Sequence, residues 1–461
     1  MLVGCGSSES SPNPVQTHAT NHPLVLIGVD GMEWDVVCPM LHAGRLPNIA
    51  RLMEQGAFGM IDSVVPTLSP IIWTSIATGK GQEKHGIHGF LNKEMGEDES
   101  ANLYTSLDRR TKAYWNILTD HDRRAAVIGW WITYPVEQIN GVMVAQTNTS
   151  SPMTAKKNSK MLKGTLYENL EGQVHPAHRQ DEILSLIPQI DTELQDLTRQ
   201  IFGEMPQTKD PVAHRLWEKC LWAVRADAIY HAVGLRLLED EPSFDTFAIY
   251  FGGTDVIGHR FWRYLQPDLY AYPPTAEQIR EFADVIPAYY AHIDRIIGGL
   301  VDAAPDPCNF MIVSDHGFHA VNTKGRYTAD LTVRQLKSGG HPDAPPGFFL
   351  AHGPDIRQTE VSVALTDLTR DNLPSVGSVM DIAPTVLALM GLPLGRDMDG
   401  NFMKNLLKVS FLESYPIAWV QTHTSSDWFA SRQAGAAENR DIAQRMEQLR
   451  SLGYIGGQDE N

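Results

Sequence analysis

The chain has 461 residues, 43% apolar and 20% charged, enough to bury a sizeable core. A formal charge of −17 leaves no surplus of Lys or Arg to neutralise a phosphate backbone, which excludes a general binder of nucleic-acid polymers. Its four Cys (Cys5, Cys38, Cys220 and Cys308) form no C-x-x-C pair, and no apolar run reaches the roughly 18 residues of a membrane-spanning helix, so neither a thiolate metal site, nor a disulfide framework, nor a transmembrane helix is expected.

Residues 1–22 read as a flexible Ser/Pro/Asn-rich tether. Within it, Leu2-Val3-Gly4-Cys5 resembles the end of a bacterial lipoprotein signal, although the charged and apolar regions of such a signal do not precede it. The expectation is a lipid on Cys5 that holds the chain at a membrane, in the periplasm or at the cell surface; if the motif is accidental, the chain is expected in the cytoplasm.

From Leu24 the pattern is strand, loop, helix. A buried run, PLVLIGVD, ends in Asp30. A helix is predicted over 46–55, stopping at Gly56, and a strand over 57–65. The next helix, 70–78, is closed by Gly79; Pro is favoured at a first helical position, which makes Ser69 the predicted N-cap. Strands are predicted over 124–131 and 141–145. From 148 to about 240 strand signal gives way to helical spacing over 182–202 and 211–238, read as a cap over the strand ends. The core pattern returns at Phe244, with a strand running into GGTDVIGH, a helix over 275–301, strands over 310–314 and 347–351, and a helix over 381–389. Beyond about 405 the chain is amphipathic, with a helix predicted over 440–452. The predicted architecture is α/β: a three-layer sandwich with a mostly parallel central sheet covered by helices, plus a mainly helical cap insertion. Its predicted parts are a tether (1–22), a core (23–147 and 241–404), a cap (148–240) and a C-terminal helical extension (405–461).

Three buried runs end in metal-ligand chemistry: Asp30; Asp255 with His259; Asp315 with His316. Open α/β sheets bind ligands at the carboxyl ends of their strands, so the fold can bring all three to one edge. His341, in SGGHPDAPPG, is a sixth candidate and Ser69 a seventh, its hydroxyl expected at a helix N-terminus where anions are attracted. Taken singly, each has an ordinary explanation. Asp30 is a turn-capping residue, Ser69 a helix cap, and the His residues polar groups at a sheet edge. Taken together, carboxylates and imidazoles on several strand ends with a hydroxyl between them are what a metal-assisted hydrolase needs. Lys80, His85, His88, Arg260, Trp262, Arg263, Tyr264, His319 and Lys324 lie near these segments, and for each a structural role is the default.

The segments VLIGVDGMEWD, LPNIARLMEQGAFG, PTLSPIIWTSIATGKGQEKHGIHGF, TDVIGHRFWRY, IVSDHGF, GGHPDAPPGFFLAHGPDI and SVMDIAPTVLALMGLPLGRDMDG resemble, in this order, the alkaline phosphatase superfamily in its type I phosphodiesterase and nucleotide pyrophosphatase branch. The resemblance spans about 24–150 and 244–402. It implies a phosphoric ester hydrolase with two bridging divalent ions, zinc or manganese. One ion would take Asp30, Asp315, His316 and the Ser69 oxygen; the other would take Asp255, His259 and His341. Ser69 would be the nucleophile and pass through a phosphoserine. The implied substrate is a small phosphate ester, with phosphomonoesterase or phosphotransferase activity on the same metals as the alternative. The nucleophile segment lacks the Cys-x-Pro-x-Arg signal of a sulfatase. A non-catalytic binding protein on the same fold is disfavoured by the intact ligands and Ser69.

Overall fold

The computed structural model describes residue 17 and residues 20–92, 102–146, 166, 172–204, 211–240, 243–358 and 364–435. Alternation along the first strand, β1 (Leu24–Val29), fixes the layers. All six of its residues are buried. Leu24 and Leu26 enter one apolar cluster, while Val25, Ile27 and Val29 enter another, because successive side chains leave a strand on opposite faces. A strand covered on both faces must read as a continuous apolar run, and this one does.

Eight more strands complete the sheet: β2 (Ala57–Asp62), β3 (Ala125–Ile128), β4 (Gly141–Val144), β5 (Val174–His175), β6 (Thr246–Phe251), β7 (Asn309–Val313), β8 (Gly347–His352) and β9 (Ser375–Ser378). Their order is β9-β2-β8-β7-β1-β6-β3-β4-β5. β1 is parallel to β6 and β7, β3 to β6 and β4, and β9 to β2. β8 and β5 run antiparallel to their neighbours. The sheet is therefore mostly parallel, as expected.

The main helices are α1 (Trp34–His42), α2 (Pro47–Glu54), α3 (Ser69–Thr78), α4 (Ile187–Phe202), α5 (Leu221–Asp240), α6 (Gly253–Leu265), α7 (Val285–Ala303) and α8 (Ile382–Leu389). α3 and α8 cover one face of the sheet and the others cover the opposite face. The predicted helix over 275–301 is two helices, Ala276–Phe282 and α7. Pro287 offers no amide to a preceding turn, so a new helix starts just before it.

The segment predicted as a cap is arranged differently where it is described. β5 joins the main sheet, and α5 packs on β6 and α7 through Val224, Ile229, Val233 and Leu237, all buried. Its apolar stripe is broad enough to make it a layer of the core rather than a lid, and the helical periodicity in the sequence does not distinguish the two. Residues 148–165, 167–171 and 205–210 of that segment lie outside the described residues, as do Cys5 and the helix predicted over 440–452. The part after 405 runs through a helix, Val409–Ser414, then the short strand Trp419–Val420, which pairs parallel with Leu394–Gly395, and then the helix Ser426–Gly435.

Candidate active site

β7, β1 and β6 are neighbours, so the turns that leave their carboxyl ends meet. Asp30 leaves β1, Asp255 and His259 sit one helical turn apart at the start of α6, and Asp315 and His316 leave β7. His316 Nε2 lies 3.5 Å from Asp30 Oδ1 and 3.3 Å from Asp315 Oδ2. Asp255 Oδ1 lies 3.2 Å from His259 Nε2 and 3.5 Å from His341 Nε2. The His316 and His341 rings stack with centroids 3.6 Å apart, which joins the two halves. Asp30, Asp315 and His316 form one compact ligand group, and Asp255, His316 and His341 another. Six of the seven residues expected as metal ligands are thus brought together, with His316 within reach of both groups.

Two of the three imidazoles are already oriented. His259 Nδ1 donates to the Gly339 carbonyl (2.8 Å) and His316 Nδ1 to that of Gly317 (3.0 Å). A carbonyl only accepts, so each ring keeps its Nε2 lone pair toward the cluster. Burial holds the His259 imidazole down to about 4 and that of His316 well below the ordinary range, which keeps both neutral. Burial, and next the charge of Asp255, push the Asp30 carboxyl up to about 8. Burial and Asp30 push Asp315 up as well. Burial acts the same way on Asp255, but the facing His259 and His341 hold its carboxyl below the usual range.

Asp30 Oδ1, Asp255 Oδ1, Asp315 Oδ2 and His316 Nε2 are all buried without a hydrogen-bond partner. No Lys or Arg pairs with the three carboxylates among the described residues. Buried lone pairs of O and N donors facing a common space fit divalent ions such as zinc or manganese, whose charge would reverse the repulsion that now raises Asp30 and Asp315.

Ser69 departs from its predicted role as a cap. The amides of Ile71 and Ile72 donate to the Leu68 carbonyl, so Leu68 is the N-cap and Ser69 the first residue of α3. Its hydroxyl makes no hydrogen bond among the described residues, and the side chain is nearly buried. Trp73, one turn on and on the same helix face, donates its indole N–H to Asp30 Oδ2 at 3.1 Å. The face of α3 that carries Ser69 is therefore the face turned to Asp30. The approach is close: a Cβ on Gly28 would meet the Trp73 ring at 2.6 Å.

Sequence reasoning missed four residues around this cluster. Tyr250 donates to Asp30 Oδ2 at 2.6 Å, so that oxygen is saturated while Oδ1 stays open. Glu33 Oε2 accepts from the Phe318 amide (2.6 Å) and holds the turn after His316. Asp227 holds the start of α6 through two backbone amides. Lys337 is buried enough for its ammonium to be held down to about 8, with Asp255 pulling the other way. No spacing rule links these residues to the ligands; the single local signal was Glu33 inside the VDGMEWD segment. Of the other residues singled out, Lys80 pairs with Asp397 (2.5 Å), Arg263 lies over the Tyr327 ring (4.1 Å), and His85 bonds to Ser75 within the core. Arg260 bonds back to Val256, and His88 and Lys324 are exposed.

The fold is an alkaline phosphatase-like sheet with carboxylates and imidazoles gathered at its strand ends. The chain belongs to the Type I phosphodiesterase / nucleotide pyrophosphatase family, which matches over residues 24–368. It is similar to the alkaline phosphatase PafA, at 13% identity and a TM-score of 0.51 over 85% of this chain and 100% of that one. It is also similar to a 2-O GAG sulfatase (11% identity, TM-score 0.46, 87% of this chain and 76% of that one). Phosphonoacetate hydrolase from Sinorhizobium meliloti shows 16% identity and a TM-score of 0.40, over 67% of this chain and 60% of the hydrolase. Of these three, the PafA likeness carries the fold assignment. No curated protein matches the chain.

Proposed function

We propose that the chain hydrolyses small phosphate esters, diesters in preference, with Ser69 as nucleophile and two divalent ions in the strand-end cluster. The observation that supports this most directly is the set of buried, partnerless oxygen and nitrogen atoms of Asp30, Asp255, Asp315 and His316 facing one another. Asp30, Asp315, His316 and Ser69 would hold one ion and Asp255, His259 and His341 the other. Zinc or manganese bound there would supply the positive charge that offsets the phosphate and lowers the pKa of the Ser69 hydroxyl.

The residues of the chain do the rest. Ser69 Oγ attacks phosphorus while the ester P–O bond breaks and the leaving alcohol departs. Water then attacks the phosphorus bound to Ser69 and breaks the Ser69 O–P bond, which releases a phosphomonoester from a diester (or phosphate from a monoester) and returns a proton to the Ser69 hydroxyl. Trp73 and Tyr250 keep Asp30 aimed by one oxygen, and the carbonyls of Gly339 and Gly317 keep His259 and His316 aimed by Nε2. Turnover of bis(p-nitrophenyl) phosphate against p-nitrophenyl phosphate, with added zinc or manganese, tests the reading. Hydrolysis of neither ester with either metal would overturn it.

A second reading, a phosphomonoesterase or phosphotransferase on the same site, is favoured by Lys337. Lys337 is half-buried, the charge of Asp255 favours its ammonium against the effect of burial, and one more cation suits the dianion of a monoester. The same comparison decides, through faster turnover of the monoester. A lipid on Cys5 is proposed separately, from Leu2-Val3-Gly4-Cys5 and the polar run after it. Membrane fractionation of source cells, with Cys5→Ala as control, tests it; unmodified Cys5 in a soluble protein would end that proposal alone.

A further inference from the structure

α6 carries Asp255 and His259, yet its own N-terminus offers no side-chain cap, because the N-cap is Gly252. The free amides at that end are satisfied from elsewhere in the chain. Asp227, on α5, accepts from the Gly252 amide through Oδ1 and from the Gly253 amide through Oδ2, each at 3.0 Å. Its Oδ2 also accepts from the Tyr289 hydroxyl of α7 at 2.7 Å. Asp227 is 2% exposed, so these bonds do not compete with water. The packing leaves no play: a Cβ on Gly253 would meet the Tyr289 hydroxyl oxygen at 2.0 Å. On the other side, the Thr254 hydroxyl donates to the Asp30 carbonyl and fixes the same turn to β1. A carboxylate that bridges two successive amides sets both the height and the rotation of the first helical turn, and Asp255 lies in that turn with His259 one turn on.

We propose that Asp227 is a positioning residue for the Asp255–His259–His341 half of the centre: by holding the first amides of α6, it sets the separation of two ligands it does not touch. The idea rests on the two-ion reading above. It also gives α5, in the segment whose sequence reads as a cap, a part in the site.

The test is zinc titration of the full chain against a chromophoric chelator, for wild type, Asp227→Asn, Tyr289→Phe and His341→Ala. Asp227→Asn keeps the shape but turns an amide nitrogen toward one of the donors that the carboxylate accepts from. One of the two zinc ions should bind about 10- to 100-fold more weakly, as for other residues that orient ligands, with the second unchanged. In a His341→Ala background the substitution should add nothing, because the site it supports is already lost. Amide exchange across Gly252 and Gly253 should quicken. Tyr289→Phe removes one donor without disturbing the turn and should weaken the same ion by less; if Asp227→Asn does not fold, this variant decides alone. Equal weakening of both ions, or weakening of neither, overturns the assignment while the two-ion reading stands. A wild type that binds no zinc overturns both.

Discussion

Two buried carboxylate centres in this molecule are built in opposite ways. Glu137 is enclosed by cations and donors: Arg109 reaches both of its oxygens at 2.8 Å, Arg432 lies at 2.6 Å, and the Trp115 indole donates at 2.9 Å. Burial pushes its carboxyl up, but Arg109 and Arg432 hold it down to about 2. Asp30, Asp255 and Asp315 are as deeply buried, but neutral donors, imidazoles and one another surround them in place of guanidinium groups. Leaving a carboxylate uncompensated in an apolar interior costs several kcal/mol, by order of magnitude. A fold that satisfies Glu137 completely and leaves four atoms at the strand ends unpaired has left room there for charge from solution. The Glu137 centre holds the structure: Arg432 belongs to the C-terminal helix and also donates to the Ser106 carbonyl, so it ties the end of the described chain to the core. The strand-end centre is suited to chemistry.

The largest expected effect separates the nucleophile from the ligands beside it. Ser69→Ala should keep both ions, the one that Ser69 helps to hold bound more weakly, and lose at least about a thousandfold in turnover at saturating zinc, since the covalent step disappears. Wild-type turnover in that variant would make water the direct attacker.

Next, the two centres should respond differently to a chelator. Zinc at a hundred times its Kd should stabilise the protein by about 2.7 kcal/mol for each ion bound, all of it lost on chelation. Asp315→Asn keeps the oxygen that accepts from the Gly31 amide while it removes a charge from a crowded site. Without metal its melting temperature should equal or exceed that of the wild type, and zinc should add little. A large zinc-dependent rise in that variant would mean that Asp315 is not a ligand.

Glu137→Gln should be insensitive to metal and sensitive to pH. A carboxyl whose folded value lies near 2 against 4.5 unfolded contributes stability that is fully present above 4.5 and is lost as pH falls toward 2. The variant should be on the order of 3 kcal/mol less stable at neutral pH, by the linkage of pKa to stability. Its deficit should shrink below about pH 4.5, as measured by denaturant unfolding across pH. A constant deficit down to pH 2 would show that the charge on Glu137 is not what matters. The smallest effect is expected from Tyr250→Phe, which removes one of two donors to Asp30 Oδ2. It should cost about 1 kcal/mol of stability and a few-fold in zinc affinity.

The sheet and the strand-end turns that carry Asp30, Asp315 and His316 were legible because their signals are local. PLVLIGVD and FMIVSDHG are buried strands that stop at Asp or Asp-His, and nothing in their chemistry depends on distant partners. What escaped was the support, which is non-local throughout. Tyr250 meets Asp30 from the neighbouring strand, Glu33 meets Phe318 across the chain, and Asp227 reaches α6 from a helix whose periodicity also suits a cap. Ser69 was misplaced by one position for a related reason. Pro70 suits either of the first two helical positions, and only the amides of Ile71 and Ile72 show that Leu68 is the cap.

One glycine bears on how this sequence can drift. Gly28 leaves the space into which the Trp73 ring settles, so the thickness of β1 at that point gauges how far α3 stands from the sheet. Any larger residue there would lift the helix, and Ser69 would move with it. A misplacement of about 1 Å at a reacting atom can cost a hundredfold in rate, while a lifted helix can still pack and fold. Substitutions at position 28 are therefore of the kind that would pass a screen for soluble expression and fail one for turnover, and a lineage that had lost activity could accumulate them without visible harm to its fold.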